Sequence, residues 1–337
     1  MTPRRTRTAI LVLSGVVLGA VLLWLVGRRI DLDQARRIFA AADYVWVCVA
    51  LVCYGTAIAA RVWRWHSLLS FHAAVSVGDT AVSLVVGYAV NNLLPARLGE
   101  IVRADILKRR SGASRAAALG SIFIERALDL VVVLLMLAVG LIVAHRHSAA
   151  IDEALLIGSI AALAAALLIG IGARFARRRG GATGPGGPRA GWAARLRDYA
   201  SGRIGDFAGS LRVVGTRRFA LAAAATLPIW LLESAAIWCV CRAIGLDLAI
   251  AALAMVMALG SLSTLLPSAP GYIGGYQLAY VLALDPWGVD ATLAAVAASC
   301  VIIYLMGSLT AAGMLAWIAF CLRPSRAGAL DRAAASR

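Results

Sequence analysis

Apolar residues gather into runs at 9–27, 44–60, 77–94, 116–144, 153–173, 219–241, 249–267, 272–284 and 290–321, with polar residues concentrated between them. A helix needs about 20 apolar residues to cross about 30 Å of hydrocarbon, and most of these runs reach or approach that length. Several of the runs hold 18 or more residues without a charge, so the pattern predicts an all-α, polytopic helical membrane protein. Hydrophobic residues make up 61% of the 337-residue chain and mean hydropathy is +0.84. Soluble domains hold about 45–50% apolar residues, which excludes a soluble fold.

The charges decide how the runs are threaded. The formal net charge is +16, and the basic residues sit almost entirely between apolar runs, as they do in loops retained on the cytoplasmic side. No aromatic-basic recognition module accompanies them, so no nucleic-acid partner is expected. Met1–Thr8 carries three Arg and precedes an uncleaved first span. Arg61 and Arg64 follow the second run, and Arg97, Arg103, Lys108, Arg109, Arg110 and Arg115 follow the third. Both groups read as cytoplasmic, so 77–94 enters and leaves on one side as a re-entrant hairpin or half of one. The segment 174–218, with eleven Arg against two Asp, reads as a cytoplasmic loop, and the tail 323–337 is basic. An odd number of crossings must join them, which makes 249–284 a hairpin broken at Pro267–Gly275. The predicted architecture has about six full spans and two broken hairpins, with both termini cytoplasmic. Residues 1–322 then form the membrane domain and 323–337 a cytoplasmic tail. The loop Arg28–Arg37 falls outside, partly neutralised by Asp31 and Asp33.

Within the cytoplasmic loop, 180–191 is rich in Gly and Pro, the composition of a flexible linker. From Trp192 onward, Leu196 and Tyr199, then Phe207, Leu211 and Val214, recur at helical spacing among Arg195, Arg197, Arg203 and Arg212. That pattern predicts an amphipathic helix on the inner leaflet, where anionic lipids attract basic loops. The six cysteines lie in or beside apolar runs without metal-ligand spacing and read as small packing residues. No metal or cofactor site is expected.

Two segments interrupt the apolar pattern in related ways. One runs Asn91, Asn92, Leu93, Leu94, Pro95, Ala96, Arg97, Leu98, Gly99, Glu100 and on to Arg103. The other runs from Leu265 and Leu266 through Pro267, Pro270, Gly271 and Gly274 to Gln277. Each has Leu-Leu-Pro, a small residue, Gly, and then an acid or an amide, one in each half of the chain. Pro/Gly-interrupted apolar segments in corresponding halves mark transport sites between inverted repeats; the bland alternative is two ordinary Pro-terminated helices. Ionisable residues sharpen the first reading. Glu125, Arg126 and Asp129 stand inside run 116–144, and Glu233 inside 219–241. Each costs about 2.5–3.5 kcal/mol to insert, so each needs a partner or a wet cavity. Arg126 reaches Asp129 at i+3, and Arg97 or Arg103 is the expected partner of Glu233. A purely structural ion network explains Glu125 and Asp129 about as well as function does.

The segment NNLLPARLGEIVRA, the element Ser121–Asp129 (Ser-Ile-x-x-Glu-Arg-x-x-Asp) and LPSAPGYIGGYQ, in this order, resemble the flippase-like membrane domain of lysylphosphatidylglycerol synthases across nearly the whole chain. The resemblance implies a helical lipid flippase or transporter of the prokaryotic cytoplasmic membrane. By position it carries Asn91, Asn92, Pro95, Arg97, Gly99, Glu100 and Arg103 in the first motif, Glu125, Arg126 and Asp129 in the second, and Pro267, Pro270, Gly271 and Gly274 in the third. The chain departs from the pattern at Gln277, where many members carry Glu. The large soluble catalytic domain of the aminoacylating synthases is not expected, and neither is enzymatic activity. The function expected is transport of a lipid with an anionic head group, a phospholipid or a polyprenyl-phosphate-linked lipid, with Arg97, Arg103 and Arg126 holding its phosphate. The alternatives are a secondary transporter of a soluble anion and a membrane-embedded lipid-modifying enzyme using Glu100, Glu125, Asp129 or Glu233.

Overall fold

A computed structural model of the chain describes residues 32–71, 74–94, 98–144, 171, 174, 205–207, 209–265 and 270–322. Every regular element among these is helical. They are α1 (Leu32–Ala40), α2 (Tyr44–Leu69), α3 (Val77–Leu93), α4 (Gly99–Ser111), α5 (Arg115–Ala144), α6 (Arg217–Ala243), α7 (Ile250–Ser263), α8 (Gly275–Leu284), α9 (Ala291–Val301) and α10 (Gly307–Leu322). A π turn at Ile302–Met306 joins the last two into one long helix. Four helices are long and apolar enough to cross a membrane: α2, α5, α6 and Ala291–Phe320. They correspond to four of the six predicted spans. The other two, 9–27 and 153–173 (apart from Ile171), lie outside the described residues, as does the tail 323–337.

Both interrupted segments form hairpins. Helices α3 and α4 run antiparallel, since Asn91 lies against Gly99, Gly87 against Arg103, and Arg110 Nε reaches Asp79 at 2.5 Å. Helix α7 likewise turns back on α8, with Gly260 against the Tyr276 ring. The order is therefore span, hairpin, span (α2, α3–α4, α5) and then the same again (α6, α7–α8, α9–α10). The packing respects this exchange: α2 lies along α6, α5 packs on α7, and α10 packs on α3. Helices α2 and α6 are antiparallel throughout. The Asp43 N–H donates to the Ala243 carbonyl at 2.7 Å, the Trp46 and Trp238 rings meet edge-on at 5.5 Å, and Arg218 donates to Ser70 at 2.7 Å. Since these two helices are counterparts, the second unit is upside down relative to the first, the arrangement of an inverted repeat.

Each hairpin is held at its break by a side-chain amide, half-buried at Asn91 and buried at Gln277. The first four N–H groups of any helix lack an internal partner. At α4 the Asn91 side chain accepts from the Gly99 N–H at 2.8 Å. At α8 the Gln277 Oε1 accepts from the Gly274 N–H at 2.7 Å, while its Nε2 donates to Ser299 Oγ at 3.3 Å. Gln277 is thus a capping residue. Gly271 and Gly274 have φ of +76° and +87°, the left-handed region that glycine adopts at little cost. The first hairpin uses its glycines for close approach. A Cβ on Gly99 would run into the Gly87 carbonyl and the Asn91 side chain. Asn92 ties this hairpin to the far half, donating to the Met306 carbonyl at 3.2 Å and to Thr310 Oγ1 at 2.9 Å.

Two expectations are corrected. Helix α2 continues to Leu69 and buries Arg61 and Arg64, so they are not loop charges. The first hairpin rests on its contacts, not on the sidedness those two residues suggested. The predicted surface helix 192–214 is helical at 205–207 and 209–210, but its apolar side packs on the bundle. Leu211 and Val213 are buried against Leu68, Ile124 and Ala222, and Phe207 stacks beside Phe123 at 6.2 Å. Apolar area is better covered by the bundle than by an interface, and the helical spacing dissolves into a 3-10 turn at Leu211–Val213. Residues 192–204 are outside the described set.

Gly99→Ala is expected to destabilise the detergent-purified protein by about 1–3 kcal/mol through overpacking. Gly55→Ala, in open space within α2, is expected to be neutral or to stabilise by up to about 1 kcal/mol. Thermal unfolding of the two side by side checks this; equal midpoints would contradict the close packing of the first hairpin.

Candidate functional site

Helical spacing first places the charges on common faces. Arg61 and Arg64 share a face of α2 at i, i+3. Glu100 and Arg103 do so on α4, and Glu125 and Asp129 at i, i+4 on α5. The packing of α2, α4, α5 and α6 then brings these faces together with Glu233. Arg61 grips Glu233 with two bonds, Nε to Oε1 at 2.7 Å and Nη2 to Oε2 at 2.6 Å, and its Nη1 lies 3.4 Å from Asp129. Arg64 makes the same fork with Asp129, at 2.7 and 3.1 Å. It also donates to Thr226 Oγ1 at 3.1 Å and lies 3.5 Å from Glu125. Trp230 Nε1 donates to Asp129 Oδ1 at 3.1 Å. Arg103 pairs with Glu125 at 2.9 and 3.3 Å and lies over the Trp65 ring at 3.4 Å, adding a cation–π contact.

The fourth guanidinium is held differently. Arg126 is surrounded by Glu125 at 3.2 Å, Glu100 at 3.3 Å and Asp129 at 3.7 Å. None of these is a tight fork. Its side chain is 30% exposed, against 7% for Arg61, 0% for Arg64 and 3% for Arg103. Four Arg (61, 64, 103, 126) meet four carboxylates (100, 125, 129, 233), so the charges balance among the described residues.

Five of these groups, Arg61, Glu100, Arg126, Asp129 and Glu233, border a cavity of about 480 Å³. Its polar end is formed by Arg61, Asn91, Glu100, Arg126, Asp129 and Glu233. Much of the rest of the lining is aliphatic, with Ile58, Leu130, Val133, Ile237, Leu262, Leu265, Leu305 and Leu309. Asn92, Tyr272 and Tyr276 also face it, so both hairpins contribute.

Of the residues singled out from the sequence, Asn91, Asn92, Glu100, Arg126, Asp129 and Glu233 line this cavity. Glu125 is fully buried behind it, and Gly99, Gly271, Gly274 and Gln277 shape the hairpin breaks. Pro270 opens the 3-10 turn Pro270–Tyr272. Pro95, Arg97 and Pro267 lie outside the described residues. Two pairings differ from expectation. Glu233 is bound by Arg61, not by Arg103, because α2 lies along α6. Arg103 does not reach the cavity, since Glu125 and Trp65 hold it beneath. The sequence reading missed Arg61 and Arg64 as network members. Their i, i+3 spacing, opposite to a run that carries unpaired Glu and Asp, was the available signal. It also missed Tyr88, Thr226 and Trp230.

The family described as the lysylphosphatidylglycerol synthase TM region matches residues 12–313. The chain belongs to this family. All the residues that line the cavity lie within the matched region. A UPF0104 membrane protein of Methanothermobacter thermautotrophicus is 26% identical over 310 residues, covering 86% of this chain and 88% of that protein. No solved structure matches significantly. Membership and the apolar helices together make this a multi-pass membrane protein of the family.

Removing one partner of a buried pair strands the other charge at a cost of about 3–5 kcal/mol, whereas a partly exposed pair contributes below about 1 kcal/mol. Asp129→Asn is therefore expected to lower the unfolding midpoint steeply and Glu100→Gln hardly at all. The reverse order in a thermal melt would show that the network's weight lies elsewhere.

Proposed function

We propose that this protein is a lipid transporter, a flippase that moves an amphiphile with a phosphate-bearing, anionic head group between the leaflets of the prokaryotic cytoplasmic membrane. The observation that carries the reading is the amphipathic cavity: one end is ionic, the walls are aliphatic, and a hairpin from each repeat closes on it. A soluble anion has no use for aliphatic walls, whereas a lipid presents both kinds of surface. The family's name, which refers to a synthase of a phospholipid, also favours a lipid cargo.

Arg126 is the residue best suited to meet the head group. A planar guanidinium grips phosphate oxygens bidentately and stays charged. Glu125 keeps Arg103 and Asp129 keeps Arg64 when a phosphate takes a place at Arg126, and the partly exposed Glu100 is the carboxylate left to water. Arg61, Arg64 and Arg103 hold the spans in register. Arg97, two positions before Gly99, is proposed to join Arg126 at the head group. In this reading both termini face the cytoplasm.

The test is a reconstituted assay with fluorescent phosphatidylglycerol in proteoliposomes, quenched from outside by dithionite. Arg126→Gln and Arg97→Ala should each slow flipping by tenfold or more while the protein remains folded. Leu315→Ala, on the outer face of α10 and 68% exposed, should not change it. Wild-type flipping no faster than in protein-free vesicles, or full activity in both Arg variants, would sink the proposal. Uptake of free phosphate with no lipid movement would favour the soluble-anion transporter.

A further inference from the structure

Tyr88 lies on α3, three residues before the Asn91 cap, and lines the cavity beside Glu100 and Arg126. Its hydroxyl is buried and has no hydrogen-bond partner among the described residues. That is unusual. Burying a hydroxyl unpaired costs about 1–3 kcal/mol, and phenylalanine would fill the same space without that cost. It shares the cavity lining with Arg126 and Arg61. Arg61 is occupied by its fork with Glu233, and Arg126 is the loosely held guanidinium. A free O–H donor beside a loosely paired cation is the donor set an anionic oxygen needs.

We propose that the Tyr88 hydroxyl and the Arg126 guanidinium form an oxyanion seat that holds a phosphate oxygen, with Arg61 supplying positive potential behind it. The inference rests on the lipid-transport reading and deepens it by assigning the head-group contact. On binding, the phosphate oxygen accepts from Tyr88 and from Arg126, and Glu100 gives up its place at Arg126. Glu100 can yield because its side chain is 27% exposed and water can solvate it. Asp129 and Glu233 cannot, because Arg64 and Arg61 hold them in forks. The hydroxyl discriminates by donating: it favours an oxyanion and gives nothing to the ester-linked, uncharged part of a lipid. The same chemistry is offered by a free phosphate, and the experiment separates the two sources.

Full-length wild type and Tyr88→Phe are purified in detergent and titrated calorimetrically with dihexanoylphosphatidylglycerol, with dihexanoylglycerol as the phosphate-free lipid, and with inorganic phosphate. A hydrogen bond to a charged group accounts for at least about a tenfold change in affinity. Tyr88→Phe should therefore weaken dihexanoylphosphatidylglycerol about tenfold or more, leave dihexanoylglycerol unchanged, and leave the unfolding midpoint equal or slightly higher. A lower midpoint would mean that the hydroxyl has a structural partner, and the seat would be discarded. Tight phospholipid binding unaffected by Tyr88→Phe would overturn the seat while sparing the transport reading. If inorganic phosphate alone binds and depends on Tyr88, the seat stands and the lipid cargo falls. If neither phosphate ligand binds wild type, both fall.

Discussion

A guanidinium or carboxylate cannot stay ionised in hydrocarbon by itself, and this protein places four of each within one helical bundle. Every other feature of the first repeat answers to that constraint. Helix α2 must lie along α6 for Arg61 to meet Glu233, and the first hairpin must return toward α5 for Arg103 to meet Glu125. Trp65 and Trp230 cover the pairs from the apolar side, one by stacking and one by donating. Replacing such a network with aliphatic residues often leaves stability unchanged or improved, so its presence calls for a reason beyond stability. The difference in grip supplies one. Three arginines are locked in forks or stacked on a ring, while the fourth is left with longer contacts at the cavity edge. Rigid ion pairs hold an electrostatic site open without being consumed by it.

The second repeat carries almost none of this charge. Its hairpin is built from the same devices (an amide cap, glycines at the break, a small-residue contact), yet Gln277 donates to the neutral Ser299 and makes no ionic contact. The two halves share a backbone plan and divide the chemistry, with all of the cavity's ionic groups but Glu233 from the first and much of the apolar lining from the second.

Much of the architecture was legible from the sequence because hydrocarbon imposes a length on every span. The runs 44–60, 116–144, 219–241 and 290–321 each correspond to a long helix, and the paired Leu-Leu-Pro segments mark the breaks between helices. The acids Glu125, Asp129 and Glu233 stood out because charge inside an apolar run is costly. Their partners were harder to see. Arg61 and Arg64 sit at the end of a run, where a cation reads equally well as a loop residue retained by sidedness, and only the antiparallel contact with α6 reveals which it is. Arg103 failed as a cavity residue for a similar reason: α4 points one of its faces inward, and spacing alone does not say which. Tyr88 was invisible because an unpaired hydroxyl is a property of three-dimensional surroundings and leaves no mark on periodicity.

The π turn at Ile302–Met306 carries a consequence of its own. Such a turn accommodates one residue more than an α-helix would over the same stretch. Taking one residue out would regularise the helix and rotate everything after it by about 100°. Thr310 would swing away from Asn92, and a different stripe of α10 would be offered to α3. The last helix is therefore indexed to the first hairpin by residue count and not only by shape. Point substitutions in this stretch are tolerable events, whereas a single-codon deletion is a change of gear between the two halves.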